Sequence, residues 1–239
     1  MITPRKCAAF FDLDGTLIPP PSLETRFVAY LLRRGELDLV QGALWFAQFL
    51  IRAAFDFRSA TEGNKSYLAG LPTSLADDWA GRFERKPIPI FAEGLRLLEW
   101  HAARGDKISL VSGTPAPLAF GIAKQLPVPL EVCATELEIC DGCWTGRIEG
   151  ELISREAKAR AIERLAARND LDLAMSYAYG DRSADIPLLN KVGHPVAINP
   201  SPMLERQAGQ RGWAILEWHQ TVPARARRFF ARPAAAGQR

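Results

Sequence analysis

The sequence predicts an α/β protein, a doubly wound and mainly parallel sheet with a small all-helical cap inserted after its first strand. Three observations predict it. From residue 94 onward, short apolar runs alternate with helical periodicity, the pattern of successive βα units. About 65 residues of helical character separate the first strand from that alternation, too many for an ordinary connection. The chain has 239 residues, of which 48% are hydrophobic and 24% charged. A chain of this length and composition buries a substantial core without disulfides or structural metal, which excludes a disordered chain, a collagen and a disulfide scaffold.

The elements follow in order. Cys-Ala-Ala-Phe-Phe at 7–11 is an apolar run that stops at Asp12 and reads as a buried strand. Gly15 allows a tight turn, and Pro19, Pro20 and Pro21 break any continuation. From 22 to about 85 the spacing is helical, with no strand-like alternation. Residues 94–104 form a helix that ends at Gly105, a C-cap signal. Residues 107–111 form a strand leading into Ser112-Gly113, which opens a helix as its N-cap. A helix over 116–125 and a strand over 130–134 come next. Residues 137–148 carry Asp141-Gly142 near their middle, a hairpin signal. A helix over 154–169, a strand over 175–179, a short helix over 187–191 and a strand over 195–198 complete the alternation. The expected division is a core of residues 1–19 and 87–220, a helical cap of 20–86, and a basic, disordered tail of 221–239.

The net charge of +3 belongs to that tail, which holds Arg225, Arg227, Arg228, Arg232 and Arg239 and no acid. Removing these five from the 30 basic residues leaves 25 against 27 acids, so no basic body exists to track a nucleic-acid backbone. The tail suits only a weak contact with an anionic membrane surface. No run of about 18 uncharged apolar residues is present, so no transmembrane segment is expected. Four cysteines and no secretory signal point to a reduced, cytoplasmic protein. Nothing in the sequence sets an oligomeric state.

In an open parallel sheet, ligands bind where the strands end. Asp12, Ser112 and Asp181 each stand at such an end, so residues distant in the chain converge on one crevice. Asp12 and Asp14 form a D-x-D pair, and like charges about 4 Å apart repel by roughly 4 kcal/mol at an effective dielectric near 20. With Asp181 and Asp185 added, the site requires cations. Mg²⁺ prefers one or two carboxylates plus substrate phosphate, and Lys158 adds a further positive charge. A carboxylate can attack phosphorus, and a second one two residues on can handle the leaving-group proton. The Ser112 hydroxyl and the Gly113 N–H can hold phosphate oxygens at a helix N-terminus.

Phe11-Asp-Leu-Asp-Gly-Thr-Leu17 resembles the first motif of the haloacid dehalogenase superfamily. Val111-Ser-Gly113 is similar to its second, Lys158 to its third, and Gly180-Asp-Arg-Ser-Ala-Asp185 to its fourth. The helical insert resembles the phosphoserine-phosphatase-like branch. The resemblance implies a Rossmann-like core and a Mg²⁺-dependent phosphomonoesterase acting on a small phosphorylated metabolite. It makes Asp12 the nucleophile and a metal ligand, and Asp14 the general acid/base with its backbone carbonyl on the metal. Ser112 and Lys158 bind phosphate, Asp181 is the remaining metal carboxylate, Asp185 supports it from behind, and Thr16 orients the loop. Phosphoserine, histidinol phosphate and phosphorylated amino alcohols are candidate substrates.

The chain departs from phosphoserine phosphatases at three places. Pro20-Pro21-Ser22 stands where they carry a cap-side carboxylate, and Glu24 is the nearest acid. Asn64 or Lys65 stands where they carry a substrate-binding arginine, and a lysine is not equivalent to a bidentate arginine. Ala184 replaces a polar residue. These departures lean toward a substrate other than phosphoserine, with Glu24 and Lys65 as candidate substrate-binding residues. A phosphotransferase or mutase using the same aspartyl-phosphate, and a non-catalytic phosphate-binding module, are the alternatives. Cys140 and Cys143 straddle the hairpin turn with no second pair nearby in sequence, and His101, His194 and His219 lack ligand spacing. The aromatics Trp45, Phe46, Phe49, Phe55 and Phe57 read as cap core.

Overall fold

A computed structural model describes residues 6–37, 40–43, 47 and 65–224. The cap aromatics 45, 46, 49, 55 and 57, Asn64 and the five tail arginines lie outside the described residues. Among the described residues, no helix is long and apolar enough to cross a membrane.

Six parallel strands form the central sheet. They are β1 (Ala8–Phe11), β3 (Lys107–Pro115), β4 (Glu131–Thr135), β7 (Tyr177–Gly180), β8 (His194–Ile198) and β9 (Ala214–Leu216), in the spatial order β4-β3-β1-β7-β8-β9. The chain winds outward from β1 through β3 to β4, then returns to the other flank of β1 for β7, β8 and β9. β1 is therefore the switch point, and its carboxyl end opens on the crevice where such sheets bind ligands. β1 is buried on both faces, as a central parallel strand must be. On one face Phe11 stacks on Tyr179, with ring centroids 4.4 Å apart. On the other, Phe10 packs in a second core with Val111, Ala178 and Ala197.

Helices among the described residues include α1 (Leu23–Arg34), α2 (Ser74–Gly81), α3 (Ala92–Arg104), α4 (Ala116–Ala123), α5 (Glu156–Asn169), α6 (Ile186–Leu189) and α7 (Pro202–Arg211). Gly35 and Gly105 end α1 and α3 in the left-handed conformation, which costs glycine nothing. β5 (Leu137–Cys140) and β6 (Cys143–Ile148) form the expected hairpin, turning through Asp141 and Gly142 at φ 50 and 78. This hairpin clasps the segment before α2. Lys65, Gly70 and Thr73 donate their N–H groups to the carbonyls of Gly146, Trp144 and Gly142, at 3.0, 2.8 and 3.0 Å.

Two expectations are corrected. β3 runs on to Pro115 and α4 begins only at Ala116, so Ser112 and Gly113 lie in a strand and Ser112 is no helix N-cap. Regular structure also passes the expected boundary at 220, because β10 (Thr221–Pro223) pairs antiparallel with β2 (Pro89–Phe91).

Candidate active site

The loop after β1 is built by backbone hydrogen bonds. Asp12 N–H donates to the Tyr179 carbonyl at 2.9 Å, extending the ladder to β7. Leu17 and Ile18 N–H both donate to the Leu13 carbonyl, and Gly15 N–H donates to that of Ile18. Gly15 has φ 93, and a Cβ there would lie 2.0 Å from Asp181 Oδ2. The turn thus brings the first motif's backbone against the fourth motif's carboxylate. Thr16 Oγ1 donates to Asp181 Oδ1 at 3.4 Å.

Three carboxylates converge there. One oxygen from each of Asp12, Asp181 and Asp185 lies within 4.8 Å of the others, and all three residues are buried. Lys158, on the first turn of α5, donates to Asp12 Oδ1 at 2.5 Å and Asp185 Oδ1 at 2.6 Å. Asp185 Oδ2 accepts from Asp181 N–H at 3.1 Å and Arg182 N–H at 3.0 Å. Both Asp185 oxygens are therefore committed to holding the loop and the lysine. Asp12 and Asp181 are the carboxylates left to face a ligand.

The electrostatics follow from burial. Burial pulls the Lys158 pKa down, but Asp12 and Asp185 outweigh it and keep the ammonium charged. Burial raises Asp12 to about 6, against the attraction of Lys158 and with the repulsion of Asp185. Asp181 is pushed well up by burial and then by Asp12 and Asp185. One lysine does not offset three desolvated acids, and an excess of hard oxygen donors fits a divalent cation such as Mg²⁺.

The Asp14 side chain lies outside that cluster. Its Oδ1 accepts from Leu23 N–H at 2.7 Å, at the N-terminus of α1, where the helix dipole favours an anion. Its Oδ2 accepts from Thr114 Oγ1 at 2.5 Å. Both Asp14 carboxylate oxygens are thus held by the protein's own donors. Burial raises its pKa, opposed by these two hydrogen bonds and reinforced by the nearby charge of Glu24. Ser112 is buried one strand over, with Oγ 3.2 Å from Thr114 Oγ1. Gly113 faces the loop before α5, where an added Cβ would lie 3.4 Å from the Ile153 carbonyl oxygen.

Glu24 and Lys65 join each other. Lys65 Nζ lies 2.7 Å from both Glu24 oxygens, and Tyr67 OH donates to Glu24 Oε1 at 2.5 Å. Sequence reasoning missed Tyr67 and Thr114. Thr114 had a signal, because Ser112 and Thr114 share a face if the strand continues. Cys140 and Cys143 pair across the hairpin as free thiols. His101 is structural, bonding Asp106 Oδ2 through Nδ1 at 2.7 Å and Tyr179 OH through Nε2 at 2.8 Å.

A family model for haloacid dehalogenase-like hydrolases matches residues 9–190. Over 232 residues the chain is 32% identical to an inhibition of morphological differentiation protein of Streptomyces azureus, covering 91% of this chain and 80% of that one. It is also 32% identical over 219 residues to a phosphoserine phosphatase of Mycobacterium tuberculosis (strain ATCC 25618 / H37Rv), covering 88% and 70%. A crystal structure of a protein of unknown function from Bordetella pertussis Tohama I superposes with a TM-score of 0.75 at 29% identity, covering 89% and 98%. A phospho-aspartyl intermediate analogue of phosphoserine phosphatase shares the fold, with a TM-score of 0.63 at 22% identity, covering 88% and 92%.

Proposed function

The chain belongs to the haloacid dehalogenase-like hydrolases, and from that premise we propose that it is a Mg²⁺-dependent phosphomonoesterase working through an aspartyl-phosphate on Asp12. The observation that carries this reading is the convergence of Asp12, Asp181 and Asp185, two of them bonded by Lys158, at the switch point of the sheet. The phosphatase among its relatives supports the reaction class.

Asp12 and Asp181 would hold the Mg²⁺, which when bound neutralises charge on the phosphoryl oxygens. Lys158 fixes the Asp12 carboxylate and adds positive charge beside the phosphoryl group. Ser112 Oγ and Gly113 N–H hold phosphate oxygens from within the C-terminal half of β3. An Asp12 oxygen attacks phosphorus as the bond to the leaving oxygen breaks. Asp14, whose pKa burial raises, gives its proton to the departing alkoxide. The Asp14 carboxylate then takes a proton from the water that attacks the aspartyl-phosphate, and inorganic phosphate leaves. Residues 20–86 act as the cap that excludes bulk water and selects the leaving group. The substrate is a small phosphorylated metabolite. With its four cysteines unpaired, the protein works in a reducing cytoplasm.

Phosphate release from a panel of small phosphomonoesters, with Mg²⁺ and with EDTA, tests the proposal. Wild type should turn over at least one ester only with the metal. Asp12→Asn should lower kcat by at least about 10³-fold, as loss of a nucleophile does. Unchanged turnover in Asp12→Asn would remove the covalent mechanism.

A further inference from the structure

The strand that carries Ser112 is irregular beyond that residue. Ser112 pairs with Ala134 of β4 and Pro115 with Thr135, so β3 advances three residues while β4 advances one. Gly113 and Thr114 are the extra residues, a bulge of the kind that re-aims a side chain beside an active site. Thr114 is buried, and its hydroxyl donates to Asp14 Oδ2 at 2.5 Å, across 100 residues of chain. Ser112 Oγ lies 3.2 Å from Thr114 Oγ1 and accepts from Thr114 N–H at 3.3 Å, which fixes the threonine in turn. The other Asp14 oxygen accepts from Leu23 N–H at 2.7 Å, in the first turn of α1. Such N–H groups have no partner within their own helix. Asp14 is thus held from two sides, by a side chain of β3 and the backbone of α1. A carboxyl bonded at both oxygens does not turn freely about its Cβ–Cγ bond. Each oxygen keeps a second lone-pair position for a proton. The bond from Leu23 is main-chain and needs no particular residue, whereas the bond from Thr114 depends on its side chain.

We propose that Thr114 is the positioning residue of the general acid: its hydroxyl, aimed by the bulge in β3, fixes the Asp14 carboxyl where it delivers a proton to the leaving oxygen. This role rests on the phosphatase reading above and adds a residue to that reaction. In the first half of the reaction an Asp12 oxygen bonds to phosphorus and the bond from phosphorus to the leaving oxygen breaks. The electron pair of that bond stays on the leaving oxygen, which takes the Asp14 proton. An alkoxide is too basic to depart without it, and a positioned acid is worth about 10²–10⁴-fold there. A p-nitrophenolate departs as the anion and needs no proton. Orientation of the acid therefore matters for one leaving group and not for the other, whereas damage to the phosphate or metal site harms both. The ratio kcat/KM covers the steps up to departure of the leaving group, so it excludes the later attack of water that all esters share.

The test compares kcat/KM for p-nitrophenyl phosphate with that for the alkyl phosphate which wild type prefers in the panel above, at saturating Mg²⁺. Thr114→Val keeps the shape of the side chain and removes the hydroxyl. It should lower kcat/KM for the alkyl ester at least about tenfold more than for p-nitrophenyl phosphate. Thr114→Ser keeps the hydroxyl and should keep the wild-type ratio between the two esters. Where thermal melting shows Thr114→Val unfolded, Thr114→Ala against Thr114→Ser makes the same comparison, since both lack the methyl group and only serine has the hydroxyl. Equal losses for the two esters, a serine variant as selectively impaired as the valine or alanine one, or a wild type that cleaves no alkyl ester each overturn the role of Thr114. In those cases the phosphatase reading stands or falls on Asp12→Asn and EDTA alone. A wild type that cleaves neither kind of ester overturns both.

Discussion

At Gly15 two constraints meet in one residue. Its φ of 93 is strained for any other L-residue, and the space a Cβ would fill is already held by Asp181 Oδ2 at 2.0 Å. Gly15→Ala must therefore push Asp181 away from Asp12. The expected result is a Mg²⁺ requirement raised by roughly 10- to 100-fold, the usual cost of disturbing a ligand's support. A Mg²⁺ titration of phosphate release reads it, and an unchanged half-saturation point would show that Asp181 holds no metal. Gly113→Ala is the contrast, since its Cβ would sit 3.4 Å from the nearest atom. Much of the site was legible at this scale because Asp12 and Asp181 each follow directly on a short apolar strand. Thr114 was not. Reading the strand as ending at Val111 broke the alternation that puts Ser112 and Thr114 on one face. The Glu24–Lys65 pairing spans 41 residues of chain, and no local spacing encodes it.

Elements hold the site through contacts that have their own pH dependence. His101 on α3 is fully buried, packed between Phe11 and Tyr177 and bonded to Asp106 and Tyr179. Burial lowers its pKa below 6.5, against the opposing pull of Asp106. Below pH 6.5 the unfolded chain therefore takes up a proton that the folded chain refuses. Stability falls as the pH drops from 6.5 through the folded-state pKa, and no further below it. Each tenfold difference in proton affinity lowers the Tm by about 3–6 °C. Melting curves between pH 7.5 and 5.0 should show this fall, and His101→Gln, though less stable throughout, should show a smaller one. Equal falls in both would place the acid sensitivity elsewhere. Legibility at this scale followed length. β1, β3 and β7 show as short apolar runs, and the long helices have enough residues to show a period. β2, β9 and β10 have three residues each, and α7 buries only Leu204 and Ala208. Such elements are fixed by what they pack against.

Across the whole molecule, the fold class was readable from the order of strand and helix, but the closure of the chain on itself was not. The segment proposed as the cap follows Leu17 in the chain and ends at β2, where Phe91 N–H donates to the Leu17 carbonyl at 3.0 Å. The C-terminal segment locks that junction. Ala92 N–H donates to the Gln220 carbonyl at 2.7 Å, and β10 pairs with β2. Trp218 is the wedge, 5% exposed and edge-on to Phe91 at 6.0 Å. Asn199 receives its N–H at 2.8 Å and donates to its carbonyl at 3.1 Å. A Cβ on Gly94 would lie 2.9 Å from both the indole and Leu17, so no side chain fits between them. Trp218→Ala should cost about 3–5 kcal/mol, as the truncation of a large buried aromatic does, and lower the Tm by roughly 10 °C. Because this indole packs on Phe91 and lies across Gly94 from Leu17, the loss should extend to catalysis at temperatures where the variant is still folded. KM for the preferred ester should rise while the Asp12-dependent chemistry persists at saturating substrate. A variant that melts early yet binds substrate as wild type does would show that Trp218 supports the core alone.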